Sequence, residues 1–332
     1  MALSESDELY GRYYKLTIES DREKRDWSEL PLQFNIKKTS DRAANPAEIT
    51  ILNLAESSRN FISKKGLKIT LDAGYEQNHG IIYQGNTEVI THEHGTVDWQ
   101  SKIEATDGAF AKRYAFMSET FDKGTPIETV IKKIAAKMAE EMDVQGGLGL
   151  LNSLQLGVID AIPTKLPPRA PIQNQTTRRA LTEAEKKALA QQKLAETEQR
   201  KIANVEAREK AKLEKAATLH NFAVAELDFW CRSYGLKWVI TDGKINVYPE
   251  ARGLTSKVIK LTKYSGLIGK PEATENGFKF RSLLRADINP GQLVKVESNI
   301  VTGVFEVIQL EHIGNNKSQE WYSEFEVVAY AA

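Results

Sequence analysis

One cysteine, Cys231, occurs in 332 residues, so the chain cannot build an internal disulfide framework or a cysteine-based metal site. It sits in Asp228-Phe-Trp-Cys231 on an expected helix and reads as an inert core thiol. Charge of one sign is missing too. Lys plus Arg and Asp plus Glu both number 45, which argues against a general nucleic-acid binder, since that function needs a clustered basic excess. The N-terminus has neither the basic nor the apolar region of a secretory signal. The most apolar stretch, 146–162, carries four glycines, Asn152 and Asp160, and is too short to span a bilayer. These absences describe a soluble protein folded in a reducing cytoplasm. Catalytic signatures are equally scarce. Gly266-Leu-Ile-Gly-Lys270 lacks the spacing and the Ser or Thr of a phosphate loop, and no Gly-x-Ser-x-Gly occurs. Glu140-Glu141 lies on a charged helix end, with no second group placed for hydrolysis.

What the chain does have is a repeat. Gly85-Asn-Thr-Glu-Val-Ile-Thr-His-Glu-His94, Gly95, Trp99 and Gln100-Ser-Lys-Ile-Glu-Ala105 reappear near the other end. There they read Gly303-Val-Phe-Glu-Val-Ile-Gln-Leu-Glu-His312, Gly314, Trp321 and Tyr322-Ser-Glu-Phe-Glu-Val327. Aligned on Glu93-His94 and Glu311-His312, the match extends back to Gly66-Leu-Lys-Ile-Thr-Leu71 and Gly291-Gln-Leu-Val-Lys-Val296. A β-unit duplicated at both ends of a chain points to assembly by pseudo-symmetry rather than to an active site.

Period-2 alternation runs through Tyr14–Ile18, Leu32–Ile36, Ile49–Leu54 and Leu67–Leu71 and predicts antiparallel strands with one wet face. Thr125-Pro126 opens a helix whose apolar face is Ile127, Val130, Ile131, Ile134, Ala135 and Met138. Residues 146–177 are rich in Gly, Pro and Asn and predict an extended inserted connection. Glycine and proline are then absent from 172 to 234, and Thr182-Glu-Ala-Glu185 is a capping box. Large aliphatics in that run are sparse (Leu189, Leu194, Ile202, Val205, Leu213), so 178–218 is expected to be a long exposed helical arm. Leu219–Trp230 reads as a packed helix, and Asp242-Gly243 between two apolar runs as a hairpin.

The resulting expectation is an α+β, mainly β protein. Its first tube-like antiparallel β-barrel spans 1–107. A helical middle region follows at 108–235, and a second barrel at 236–332. His92 and His94 share a strand face, a spacing that holds zinc if a third ligand arrives. The alignment places Leu310 opposite His92, so no metal and no cofactor are assigned. Glu93, His94, Glu311, His312, Trp99 and Trp321 recur around the two turns and are the candidates for inter-subunit or assembly contacts.

The order of these segments resembles a known family. It runs from the β-domain through Phe121-Asp-Lys-Gly-Thr-Pro-Ile-Glu-Thr-Val130 and Gly235-Leu-Lys-Trp238. It closes on Asn289-Pro-Gly-Gln-Leu-Val-Lys-Val-Glu-Ser298, Gly303–Ile308 and Glu320-Trp-Tyr-Ser-Glu-Phe-Glu326. Over about 10–145 and 216–332 the chain is similar to the baseplate hub of contractile-tailed bacteriophages of the T-even type, and to the N-terminal part of type VI secretion spike proteins. The resemblance implies a non-enzymatic virion protein, assembled in the host cytoplasm into the tail baseplate. It implies a homotrimer in contact with the tail tube protein, a separate central spike protein, the tape measure and other baseplate proteins, and with no membrane or specific nucleic acid. Two other readings stand beside it: a tail-tip cell-wall hydrolase, and a coiled-coil interaction protein acting through 178–218.

Overall fold

The computed structural model describes residues 10–40, 44–64, 66–139, 155–159, 212–249, 254–275, 277–298 and 300–330. Eight elements make the first β unit: β1 (Arg12–Glu19), β2 (Lys24–Trp27), β3 (Leu32–Thr39), β4 (Pro46–Leu52), α1 (Glu56–Ile62), β5 (Lys68–Tyr75), β6 (Asn78–His94) and β7 (Trp99–Thr106). The alternation seen in the sequence sorts them. Leu16 and Ile18, Phe34 and Ile36, Ile49 and Ile51, Ile69 and Leu71 all turn inward and are fully buried. Each such side chain contributes roughly 1.5–3 kcal/mol of burial.

The middle region holds α2 (Ala109–Tyr114), β8 (Phe116–Phe121), α3 (Ile127–Ala139), β9 (Gln155–Ile159), β10 (Ala217–Phe222), α4 (Ala223–Ser233), β11 (Leu236–Thr241) and β12 (Lys244–Pro249). The expected apolar face of α3 is buried at all six positions. Asp242 and Gly243 both have positive φ (51° and 71°), the turn that lets a two-residue hairpin follow the strand twist. Three expectations change here. The β11–β12 hairpin, expected with the second barrel, shares the core of the middle region, where Trp238, Ile240, Ile245 and Val247 pack with α3 and α4. The inserted connection contributes β9, which pairs in parallel with β12. The end of the expected arm is not helical: Leu213 is buried, and Ala217–Phe222 pairs with β8, so the packed helix begins only at Ala223. The rest of the arm, 178–211, lies outside the described residues.

The second β unit is β13 (Leu254–Thr262), β14 (Leu267–Ala273), β15 (Gly277–Leu283), β16 (Gln292–Glu297), β17 (Thr302–Asn315) and β18 (Trp321–Ala329). Its order across the sheet, β13-β16-β17-β18-β15-β14, repeats the first unit's β1-β5-β6-β7-β4-β3 strand for strand. One ladder differs: β1 and β5 are antiparallel, β13 and β16 parallel. Among the described residues neither expected barrel closes. The strands instead form one thirteen-stranded sheet. The cause is the length of β17, whose first part pairs with β16 while its last part, Gln309–Asn315, pairs with β3. The second unit's ladder thus runs into the first unit's.

Candidate assembly surface

The cross-strand pairing fixes which residues of the two hairpins are equivalent. Trp99 opens β7 and Trp321 opens β18. His92 pairs with Ser101 and His312 with Ser323, each serine two residues after its tryptophan. Both ladders then shift register at the same distance from the tryptophan, between Thr87 and Val89 in β6 and between Val307 and Gln309 in β17. His312 is therefore the counterpart of His92, not of His94, and Leu310 is the counterpart of Ile90. An alignment on the Glu-His pairs is therefore two residues out of frame, because it puts too many of the extra positions in the longer second turn. The shared Trp-x-Ser of Trp99–Ser101 and Trp321–Ser323 was the signal that fixes the frame.

The equivalent positions lie in opposite surroundings. Trp321 is 2% exposed and sits in a socket made by the first unit. Its Nε1 donates to Gly74 O at 2.9 Å, its ring meets Phe34 edge-on at 5.3 Å, and the Arg12 guanidinium lies 5.7 Å from its centroid. Beside it, Arg12 Nη1 donates to Asn315 O at 3.1 Å and also to Ser318 O. Glu311 accepts from Asn35 Nδ2 at 2.8 Å, with Lys37 Nζ at 3.7 Å. His312 is fully buried, its Nδ1 2.8 Å from Ser323 Oγ and its Nε2 unpartnered among the described residues. Burial, reinforced by nearby Lys38, holds its pKa well below the usual imidazole value, so it stays neutral.

Trp99, by contrast, is 36% exposed. Arg59 from α1 lies 4.1 Å over its ring, and His94, exposed like Glu93, meets it edge-on at 4.9 Å. Asn53, in the left-handed region at φ 57°, clamps Trp99 by accepting from its N at 3.1 Å and donating its own N to Trp99 O at 2.8 Å. His92 spends both ring nitrogens on hydroxyls, Nδ1 on Ser101 Oγ at 2.9 Å and Nε2 on Ser63 Oγ at 3.0 Å. Burial and then Arg59 lower its pKa. His92 is thus engaged with two serines, while His94 packs against the Trp99 ring. Of the six candidates, Glu311, His312 and Trp321 line a joint inside the chain, while Glu93, His94 and Trp99 face solvent.

One polar cluster escaped the sequence reading. Lys38, 2% exposed, lies on β3 with Nζ 2.6 Å from Asp242 Oδ1, in the β11–β12 turn, and 2.9 Å from Asn289 Oδ1, ahead of β16. One ammonium thus ties both β units to the middle region. Next to it, Asn45 N and Nδ2 each donate to the Asp107 carboxylate at 2.8 Å, and the same Nδ2 donates to Ile240 O at 2.8 Å. Burial raises the Asp107 pKa to about 6, against the lowering effect of those donors and of Lys112. A raised folded pKa contributes stability present below the unfolded value of 3.8 and lost as pH rises through about 6. Wild type should therefore gain roughly 1–3 kcal/mol over Asp107→Asn between pH 7 and pH 4. Denaturant midpoints of both proteins across that range measure it. A constant difference would mean that Asp107 is not held protonated.

Comparison with solved structures places this fold among tail proteins. A tail protein from Neisseria meningitidis MC58 aligns with TM-score 0.53 at 11% identity, over 96% of each chain. The 43 kDa tail protein of prophage MuSo2 from Shewanella oneidensis aligns with TM-score 0.54 at 7% identity, over 96% of this chain and 99% of that one. An E. coli type VI secretion component described as structurally similar to T4 tail proteins gp27 and gp5 gives 0.49 at 8% identity, over 90% and 73%. No protein-family model and no curated protein sequence matches the chain. The chain has the fold of phage tail proteins.

Proposed function

We propose that this chain is a structural baseplate hub, three copies of which form a ring between a sixfold tail tube and a threefold central spike. The carrying observation is the duplication: two units with the same strand order in one chain. A tube ends in six equivalent surfaces, and three copies of a doubled unit offer six similar ones while keeping true threefold symmetry on the other side. The tail proteins that share the fold support the setting. In this reading the two units, at 1–107 and from 254 onward, are the tube-like domains, and the middle region is the outward attachment. The partners are the tube protein, a spike protein and other baseplate components, and the role needs no catalysis. The buried half of the candidate set fits it: Trp321 and His312 lock two units of one chain together as neighbouring segments of a tube wall.

The ring makes a countable prediction. End-on images of the assembled tail tip should show three copies arranged as six similar lobes. Six separate chains in that ring, or one, would sink the proposal.

A further inference from the structure

The joint inside the chain has a template and an empty counterpart. In the template, residues 309–315 of β17 lie antiparallel to residues 33–39 of β3. The hairpin tip reaches past the strand start: Asn316 Nδ2 donates to Leu30 O at 3.0 Å, and its Oδ1 accepts from Leu32 N at 2.9 Å. Counted from the tryptophans, the stretch of the first unit that matches 309–315 is 89–95. The strand that matches β3 is β14. Among the described residues, the outer edge of β6 over this stretch pairs with no strand, and neither does the outer edge of β14.

We infer that the β6 edge of one copy takes β14 of a second copy of this chain as its next antiparallel strand, repeating between chains the joint that β17 makes with β3 within one. The number of copies rests on the ring reading; the contact itself follows from the duplicated ladder.

Three observations carry it. The first is backbone direction. Gly95 N donates to Asp98 O at 2.9 Å, so ladder alternation turns the backbone groups of His94, His92 and Ile90 away from β7. Thr274 N donates to Gly277 O at 3.0 Å, which likewise turns Ala273 away from β15. The second is side-chain size. Within the chain Phe34 lies opposite Gly314, where an added Cβ would come within 2.2 Å of the Phe34 ring. The counterpart of Gly314 is the bulkier His94. The counterpart of Phe34 is the break in β14 between Ile268 and Glu272, where Gly269 has φ +73° and no atom within 4 Å of an added Cβ. Large and small have changed sides together. The third is exposure. Val97 at the tip of the first hairpin is 83% exposed, and Tyr264, just ahead of β14, is 80% exposed. Counted in the same frame, Asn316 and Leu30 correspond to Thr96 and Ser265, the immediate chain neighbours of these two apolar residues.

Two proline variants separate the edges. His94→Pro removes an outward N–H from β6, and Ala273→Pro removes one from β14, each leaving its own hairpin ladder intact. In sedimentation, wild type should self-associate. Each variant alone should do so at least tenfold more weakly, and an equimolar mixture should form dimers and stop there, since only one intact pair of edges remains. His94→Ala keeps the N–H but loses the side chain that meets the break, so it should assemble less tightly than wild type and more tightly than His94→Pro. The inference is overturned by wild type that stays monomeric up to about 1 mM, by proline variants that assemble normally, or by a mixture that stays monomeric. Should a proline variant fail to fold, Thr91→Cys and Thr274→Cys in a Cys231→Ser background decide the matter. These positions match the Glu311–Lys37 pair, and an interchain disulfide between them supports the contact while its absence overturns it. An assembly of other than three copies that still obeys the mixing result overturns the ring reading and leaves the edge contact standing.

Discussion

Trp321→Ala is expected to destabilise the protein by about 3–5 kcal/mol, while Trp99→Ala costs less than about 1 kcal/mol. The two residues hold the same position in duplicated hairpins, so their difference measures what surrounds them. Truncating Trp321 opens a cavity beside Phe34, removes the indole donor to Gly74 O and removes the surface under Arg12. The cavity and the lost hydrogen bond act in the same direction. Trp99 loses a partly exposed stack with Arg59, a contact of the size typical for surface cation–π pairs. Equilibrium unfolding in guanidinium, followed by far-ultraviolet circular dichroism, compares the two. Equal effects would show that Trp321 is not the anchor of the joint. Phe34→Ala tests the same socket from the other side. It should be non-additive with Trp321→Ala because the two rings touch.

Strand existence was legible in the sequence because burial on one face forces alternation, and Leu16, Ile18, Ile49 and Ile69 report it directly. The duplication was legible for the same reason: two hairpins with the same buried positions keep similar residues. What could not be read was the pairing between units. The alternation of β17 looks the same whether its far edge meets solvent or β3, because edge partners are backbone groups and leave no side-chain period. The register of the copies failed where turn length differs, since only the ladder distinguishes residues in a turn from residues in a strand. The candidate set was correspondingly half solvent and half joint. Glu93 and Glu311 have no equivalence in the ladder, where Glu311 answers to Thr91. The Lys38 cluster was invisible because lysine, asparagine and aspartate at turns and strand ends ordinarily mean exposure. Only the phase of Leu32, Phe34 and Ile36 distinguishes Lys38 from Lys37 beside it, sending one inward and the other to the surface.

That burial gives Lys38 the second large effect. Lys38→Met should cost about 3–5 kcal/mol, because it leaves Asp242 as a carboxylate at a largely buried site with its counter-ion gone. Methionine fills the volume of the lysine stem, so lost packing explains little of that cost. The loss is electrostatic and should respond to the partner. The double variant Lys38→Met with Asp242→Asn removes both charges and is expected to recover most of the stability, since buried ion pairs replaced together are often neutral in effect. Asp242→Asn alone strands the ammonium, with Asn289 as its remaining oxygen partner at 2.9 Å. It should fall between wild type and Lys38→Met. A cycle of these four proteins, read from denaturant midpoints, gives the coupling. If the double variant is as unstable as the sum of the two singles, Lys38 and Asp242 act independently, and the middle region is held to the β units by Asn45 and the apolar contacts around it. If the recovery is found, the ion pair adds little net stability and its contribution is positional. It admits only one placement of the β11–β12 turn against β3 and Asn289, because any other leaves two opposite charges buried apart.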